Sequence, residues 1–371
     1  MNLSYCRVCQ GRKYVLHSTT VSLPIHLWPL ESIEDHLLED AGLYICQECG
    51  HVQLQTQDEL FTSSLYSEGS CVEDNLGMKK ERLEIMRSVL GKDLFVQKRV
   101  LDIGGGHNPF VGMLPESETW IVDIDPDEES QKFADHVVPE RFEEVDLPGA
   151  YFDIIISFHT FEHLPDPAHV VRQIAQVMKP GGIVIIEVPN LSGIIESMPS
   201  YAIFHQHMSL FTSATMDQLF ERYGFQRKTL LRKDSVILVA YEKAGDPHRT
   251  FPRCEESIQL ATKLRTRLKE IRVKLEQSMD GWGSKSLGFY GAGGSTTLFL
   301  ANYPFLRDRI EIAFDRDERK HGRYIPGSGI QVNTPEDIDT APIDTLLFLD
   351  TTLYEQLYPK LSKKCINLEK L

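Results

Sequence analysis

The stretch Arg99 to Phe110, RVLDIGGGHNPF, constrains this chain more than any other. Val100, Leu101 and Ile103 form an apolar run that ends in three glycines, Gly104 to Gly106. The run reads as a buried strand, and the glycines read as a tight turn. There the backbone can take positive φ and a ligand can approach the main chain closely. About twenty residues on, the spacing expected of such a unit, Trp120 to Pro126 reads WIVDIDP, a second strand with carboxylates at its end. A carboxylate at that place can take both hydroxyls of an adenosine ribose.

The alternation continues downstream. Strands are expected near 100–103, 120–124, 153–157, 183–188 and 235–241, and helices near 167–178 and 213–223. Such alternation implies an α/β fold, a doubly wound sheet with its ligand crevice at the carboxyl ends of the strands. A dinucleotide fingerprint, G-x-G-x-x-G, wants a small residue where Pro109 stands, which argues against a nicotinamide enzyme.

At 371 residues the chain should hold two or three domains. There is no run of eighteen apolar residues and no signal-like core in MNLSYCRVCQ, so the expectation is a cytoplasmic protein without a membrane span. The formal charge of −15 argues against a general nucleic-acid binder. Of seven cysteines, four fall into two pairs, Cys6-x-x-Cys9 and Cys46-x-x-Cys49, the second followed by Gly50. Four thiolates satisfy tetrahedral zinc, and a closed site of that kind is structural. A redox pair is the alternative. His17, His26, His36 and His51 lie nearby and read as surface or packing residues.

Five segments follow. Residues 1–57 read as a zinc-binding module and 58–98 as a helical lead-in with a hydroxyl-rich loop. Residues 99–245 form the central α/β domain and 246–280 a linker helix. Residues 281–371 form a smaller Rossmann-like α/β domain with its own glycine turn, Gly291 to Gly294. The amides of that turn can hold a phosphate at a helix N-terminus, or the glycines serve packing alone.

Residues 152–182, FDIIISFHTFEHLPDPAHVVRQIAQVMKPGG, resemble the strand, loop and helix that follow the cofactor site of class I S-adenosylmethionine (SAM) methyltransferases. That resemblance covers about Arg99 to Glu242. The CxxC…CxxCG module, the central domain, and GAGG followed by FDRDERKHGRYIPGSGIQVNTPEDI together resemble the zinc-containing sugar C-methyltransferases of deoxysugar biosynthesis. This resemblance implies methylation of a carbon next to a ketone on a nucleotide-linked sugar. A base removes the α-proton and the enolate takes the methyl group of SAM. It also implies a small-molecule partner and no nucleic acid or membrane.

For the cofactor, the resemblance implies backbone contacts at Gly104 and Gly106, a turn stabilised by Asp102 and closed by Asn108, and ribose hydroxyls on Asp125, with Asp123 as the alternative. His159 lies nearest the methionine part, Glu162 and His163 hold their loop together, and the adenine loop falls within 140–147. In YAIFHQHMSLFT (201–212) the family's Tyr-x-Glu-His reads Phe204, His205, Gln206, His207. His207 is the candidate base, with pocket lining or a structural role as the alternatives, and His205 can compensate for the lost groups. Tyr66 belongs to a loop that the family places over the active site. Ser295 replaces a lysine common in the family's second glycine turn. The departures at 204 and 206 favour a rival reading, O- or N-methylation of another small polar metabolite. A further alternative is a zinc-containing protein that binds SAM or nucleotide without transfer.

Overall fold

A computed structural model describes residues 5–17, 21–33, 38–55, 76–106, 109–197, 199–232, 235–247, 252–282 and 286–368. Among them the N-terminal module is a sheet, which the cysteine spacing alone did not announce. Its strands are β1 (Tyr14–Leu16), β2 (Val21–Pro24), β3 (Leu38–Cys46) and β4 (Val52–Gln55), all antiparallel through β3. Helix α1 (Leu76–Leu90) follows, and Gly91 ends it at φ +113°. Its buried face includes Leu83 and Met86, as the apolar spacing predicts.

The central unit begins with β5 (Arg99–Ile103), β6 (Glu118–Val122), α2 (Glu128–Phe133), β7 (His136–Val138) and β8 (Phe152–Phe158). It continues with α3 (Pro167–Val177), β9 (Met178–Pro189), α4 (Leu191–Ser197), β10 (Ser209–Leu210), α5 (Ser213–Glu221), β11 (Phe225–Arg232) and β12 (Val236–Lys243). Local chemistry sets the helices. Asp166 caps α3 by accepting from the His169 amide, Pro167 occupies the first turn, and Val170, Val171, Ile174 and Val177 form the buried face. A capping box of Thr212 and Thr215 starts α5.

The seven-stranded sheet has the order β11-β12-β9-β8-β5-β6-β7. Strands β5 to β9 run parallel, and β12 runs antiparallel between β9 and β11. The chain reverses its direction of winding between β5 and β8, which places the crevice at their carboxyl ends. Two expectations shift. Strand β9 starts at Met178 rather than near 183, so Lys179 to Gly182 belong to the strand and not to a connection before it. Strand β11 went unread, because FQRKTLLR is too polar to look like sheet; it occupies an edge.

Helix α6 (Glu255–Trp282) leads to β13 (Leu287–Tyr290), α7 (Gly294–Asn302), β14 (Ile310–Phe314), β15 (Gln331–Asn333), β16 (Thr345–Phe348) and β17 (Lys364–Asn367). These strands form a parallel sheet ordered β15-β14-β13-β16-β17, a second Rossmann-like arrangement.

The three sheets share their cores. Cys6, Val8, Cys46 and Cys49 pack with Phe211, Met216 and Phe220 of the central unit. A second core joins Leu43, Val52 and Leu54 to Ile194, Ile195 and Phe204, to Leu264 of α6 and to Leu298 of α7. Strand β10 pairs antiparallel with β4, Leu210 opposite Val52, so the segment after His207 completes the N-terminal sheet. Arg7 clips the junction by donating to the carbonyls of Leu54 (2.8 Å) and Met208 (3.2 Å).

Candidate active site and cysteine cluster

The turn after β5 is shaped by contacts that leave no room for side chains. Gly104 stands at φ +78°, and a Cβ there would lie 2.2 Å from Thr160 Oγ1. The Gly106 amide donates to Asp123 Oδ2 at 2.9 Å, and the Asp125 amide donates to Asp123 Oδ1 at 2.8 Å. Asp123, directly beyond the end of β6, therefore turns its carboxylate toward the glycine turn. Asp125, two residues on and partly exposed, contributes its backbone amide to that arrangement. Asp102 is buried beneath the turn. Burial first, and the neighbouring Asp123 charge second, push its carboxyl up to about 7. Asn108 and Tyr66 lie outside the described residues.

The loop after β8 faces that turn. His159 takes φ +53°, a conformation uncommon for a side chain of its size. Its Nδ1 lies 3.4 Å from Glu162 Oε1 and its Nε2 lies 3.2 Å from Glu187 Oε1. Burial works against the imidazolium, yet the two carboxylates outweigh it and push His159 up to about 10. Arg82 of α1 reaches Glu187 through Nη2 (2.5 Å) and Nε (3.2 Å) and stacks over the Phe158 ring. Glu187, although buried, is held down to about 2 by His159 and Arg82.

His163 and His207 meet behind His159. Their ring centroids are 4.9 Å apart, and His163 Nδ1 is hydrogen-bonded to the Gln206 carbonyl at 2.9 Å. One atom each of Glu162, His163 and His207 lies within 4.8 Å of the others, and all three residues are buried. Phe204 and Tyr201 complete the wall around His207 at 4.9 and 5.5 Å between centroids. Burial pushes both His207 and His205 down to about 3, so both rings are neutral at pH 7. The structure thus gathers His159, His163 and His207 around Glu162, with Glu187 and Arg82 on the far side of His159 and His205 beside Phe204. Sequence reasoning gave Glu162, Glu187 and Arg82 no functional role. Glu187 carries a signal in hindsight, as a lone acid in the apolar strand MKPGGIVIIEVP; Arg82, spaced like any solvated helix residue, carries none.

Residues 79–229 match the model of a methyltransferase domain, and residues 256–366 match a C-methyltransferase C-terminal domain. The chain thus carries a methyltransferase domain followed by a C-methyltransferase C-terminal domain. The chain is 24% identical over 263 residues to the C-methyltransferase NovU of Streptomyces niveus, a match over 64% of this chain and 62% of that one, so it spans less than two thirds of that relative's length. It is 33% identical over 97 residues to the 27-O-demethylrifamycin SV methyltransferase of Amycolatopsis mediterranei, covering 23% of this chain and 36% of the relative. Among solved structures, the 1,6-didemethyltoxoflavin-N1-methyltransferase of Burkholderia thailandensis superposes with a TM-score of 0.36 at 18% identity, over 45% of this chain and 78% of that one.

The chain also carries a tight cysteine cluster. The sulfur atoms of Cys6 and Cys49 are 3.6 Å apart and those of Cys9 and Cys46 are 3.5 Å apart. All four lie within 4.8 Å of one another. Tetrahedral zinc with bonds of about 2.3 Å needs sulfurs about 3.8 Å apart, so the four thiols fit it without rearrangement. The Gly11 and His51 amides point at Cys9 and Cys49 sulfur, both at 3.4 Å. Crowding splits the thiols: Cys46 is driven well below the usual range and Cys49 well above it. Among the described residues, no helix is long and apolar enough to cross a membrane.

Proposed function

We propose that this chain methylates a carbon next to a ketone on a nucleotide-linked sugar, with His207 generating the enolate. The observation that carries this reading is His207 itself: a neutral imidazole, buried at 4% exposure, in a wall continuous with the glycine turn through Thr160, Glu162 and His163. The match to a C-methyltransferase C-terminal domain supports carbon as the acceptor.

Bound SAM supplies an electrophilic methyl group on a sulfonium. The protein's share is to hold it and to make the nucleophile. Gly104 and Gly106 offer backbone groups, and Asp123, already turned toward that backbone, is the better ribose acceptor than Asp125. Asp102 supports the turn from below. A ring nitrogen of His207 takes the α-proton, and the C–H pair moves into the ketone as an enolate. The enolate carbon then bonds the methyl carbon while the old C–S pair returns to sulfur. His205 is the alternative base, and Tyr66 belongs to a loop that covers the acceptor. Cys6, Cys9, Cys46 and Cys49 hold zinc as a structural cross-link with no open position. The segments 1–57, 58–98, 99–245, 246–280 and 281–371 act as cysteine module, lead-in, transfer domain, linker and acceptor-side domain. The protein works in the cytoplasm.

The test is exchange of acceptor α-protons with solvent deuterium across a panel of nucleotide-linked keto-sugars, with S-adenosylhomocysteine present. Exchange that disappears in H207N is expected. Methyl transfer without exchange would move the reading to O- or N-methylation, which the uncharged Phe204 and Gln206 beside His207 favour.

A further inference from the structure

Burial leaves His207 poorly suited to hold a proton, since nothing in the apolar wall of Phe204 and Tyr201 stabilises an imidazolium. Position 206, beside it, is a glutamine and brings no charge. The carboxylate within reach is Glu162. Glu162 is 1% exposed. Its Oε1 lies 3.4 Å from His159 Nδ1 and 3.9 Å from His163 Nε2. Its Oε2 is buried and has no hydrogen-bond partner among the described residues. A buried carboxylate oxygen without a donor is costly, and such an atom inside a ring of imidazoles calls for a purpose.

We propose that Glu162 is a positioning residue: its carboxylate, shared among the imidazoles of His159, His163 and His207, orients His207 and stabilises the charge that ring acquires on taking a proton. Oε1 faces His159, while His163 gives its Nδ1 proton to the Gln206 carbonyl and has none to offer Glu162; Oε2 is left to accept from His207 once protonated. His159 is the counterweight. Held by Glu162 on one nitrogen and Glu187 on the other, it keeps the buried carboxylate ionised while His207 is neutral. Two groups whose surroundings drive their proton affinities apart are the usual layout of a site that moves protons. The inference rests on the reading of His207 as the base.

The groups that face this cluster are Glu187 of β9, Arg82 of α1 behind it, His205 on the same segment as His207, and Tyr201 before it. The test uses the full-length chain saturated with S-adenosylhomocysteine and carrying ring-labelled histidines, with His159 and His207 assigned from H159N and H207N spectra. In the wild type His159 stays protonated past pH 8. In E162Q its midpoint falls by about one pH unit or more, as expected on losing an opposite charge at this range. E162D keeps the charge and holds the midpoint near the wild-type value, which separates charge from packing if E162Q is unstable. On a keto-sugar that the wild type exchanges, E162Q lowers kcat and deuterium exchange at least about tenfold, with KM for SAM unchanged and partial recovery in E162D. An unmoved His159 midpoint, or wild-type turnover in E162Q, overturns the proposal. So does activity that chelation removes and a divalent cation restores while the cysteine cluster stays loaded, because Glu162, His163 and His207 would then be metal ligands. If the wild type exchanges no keto-sugar proton but His159 moves as stated, the assigned reaction falls and the organising role of Glu162 stands.

Discussion

At the scale of single residues, the two carboxylates beneath the glycine turn do different work. Asp123 faces the turn and accepts from two backbone amides. Changing it to Asn should weaken S-adenosylhomocysteine binding by about 10- to 100-fold, the worth of one or two charge-assisted hydrogen bonds. D125N should change it far less, and calorimetric titration reads both. Asp102 is buried and its carboxyl sits near 7, above the unfolded value. The folded state therefore binds the proton more tightly than the unfolded chain. That contribution is complete below about pH 4 and is lost as pH rises through 7. Above 7 the wild type carries a buried charge beside Asp123 that Asn would not. D102N should thus gain thermal stability relative to wild type between pH 5 and pH 8, a trend that paired melting curves would show. The glycine turn was legible at this scale because only glycine fits there. The choice between Asp123 and Asp125 was not, because both end the same strand and only side-chain direction separates them. The cluster of Glu162, Glu187 and Arg82 was hidden for a further reason: its members come from three distant segments, and a charged residue in sequence looks solvated until folding buries it.

At the scale of elements, the strand β10 matters more than its two residues suggest. It follows His207 directly and pairs with β4, so the loop that bears the proposed base is held by the sheet that the cysteines staple. On the proposed zinc reading, removing one of the four thiols by C49S should leave a chain with substoichiometric zinc and a lower melting temperature. Cofactor affinity should stay close to that of the wild type, since the glycine turn sits on β5 in another sheet, while turnover falls steeply. Metal analysis, melting and calorimetry on one preparation test all three expectations; equal loss of cofactor binding and turnover would contradict the arrangement. The parallel strands β5, β6, β8 and β9 could be read from sequence as largely apolar, buried runs, whereas β7, three residues beginning at an exposed His136, could not. The short antiparallel strands around the cysteines could not, because an even mix of polar and apolar residues such as LEDAGLYIC does not declare its partner.

At the scale of the whole molecule, one core ties the first sheet, the central unit, α6 and helix α7 of the C-terminal unit together. Leu264 of α6 is fully buried where these meet. L264A should cost about 2–5 kcal/mol, as large-to-small changes in a packed core do. The loss should appear as one cooperative shift in both tryptophan fluorescence and circular dichroism; separate transitions would mean the units melt independently. Two glycine turns mark where the central and C-terminal sheets lie along the chain, and two cysteine pairs mark the N-terminal part. The cores these parts share were not legible, because contacts between distant segments leave no periodicity in either.

The pairing of β10 with β4 also limits how this chain can be recombined. A ribosome delivers β4 long before Ser209 and Leu210 exist, so the first sheet waits, incomplete, for most of the transfer domain to be made. For the same reason, exchanging the first fifty-five residues with those of a relative would separate a pair of strands that match each other in register. A working chimera of this scaffold must carry residues 201–212 along with the N-terminal module, although about 150 positions separate them in sequence.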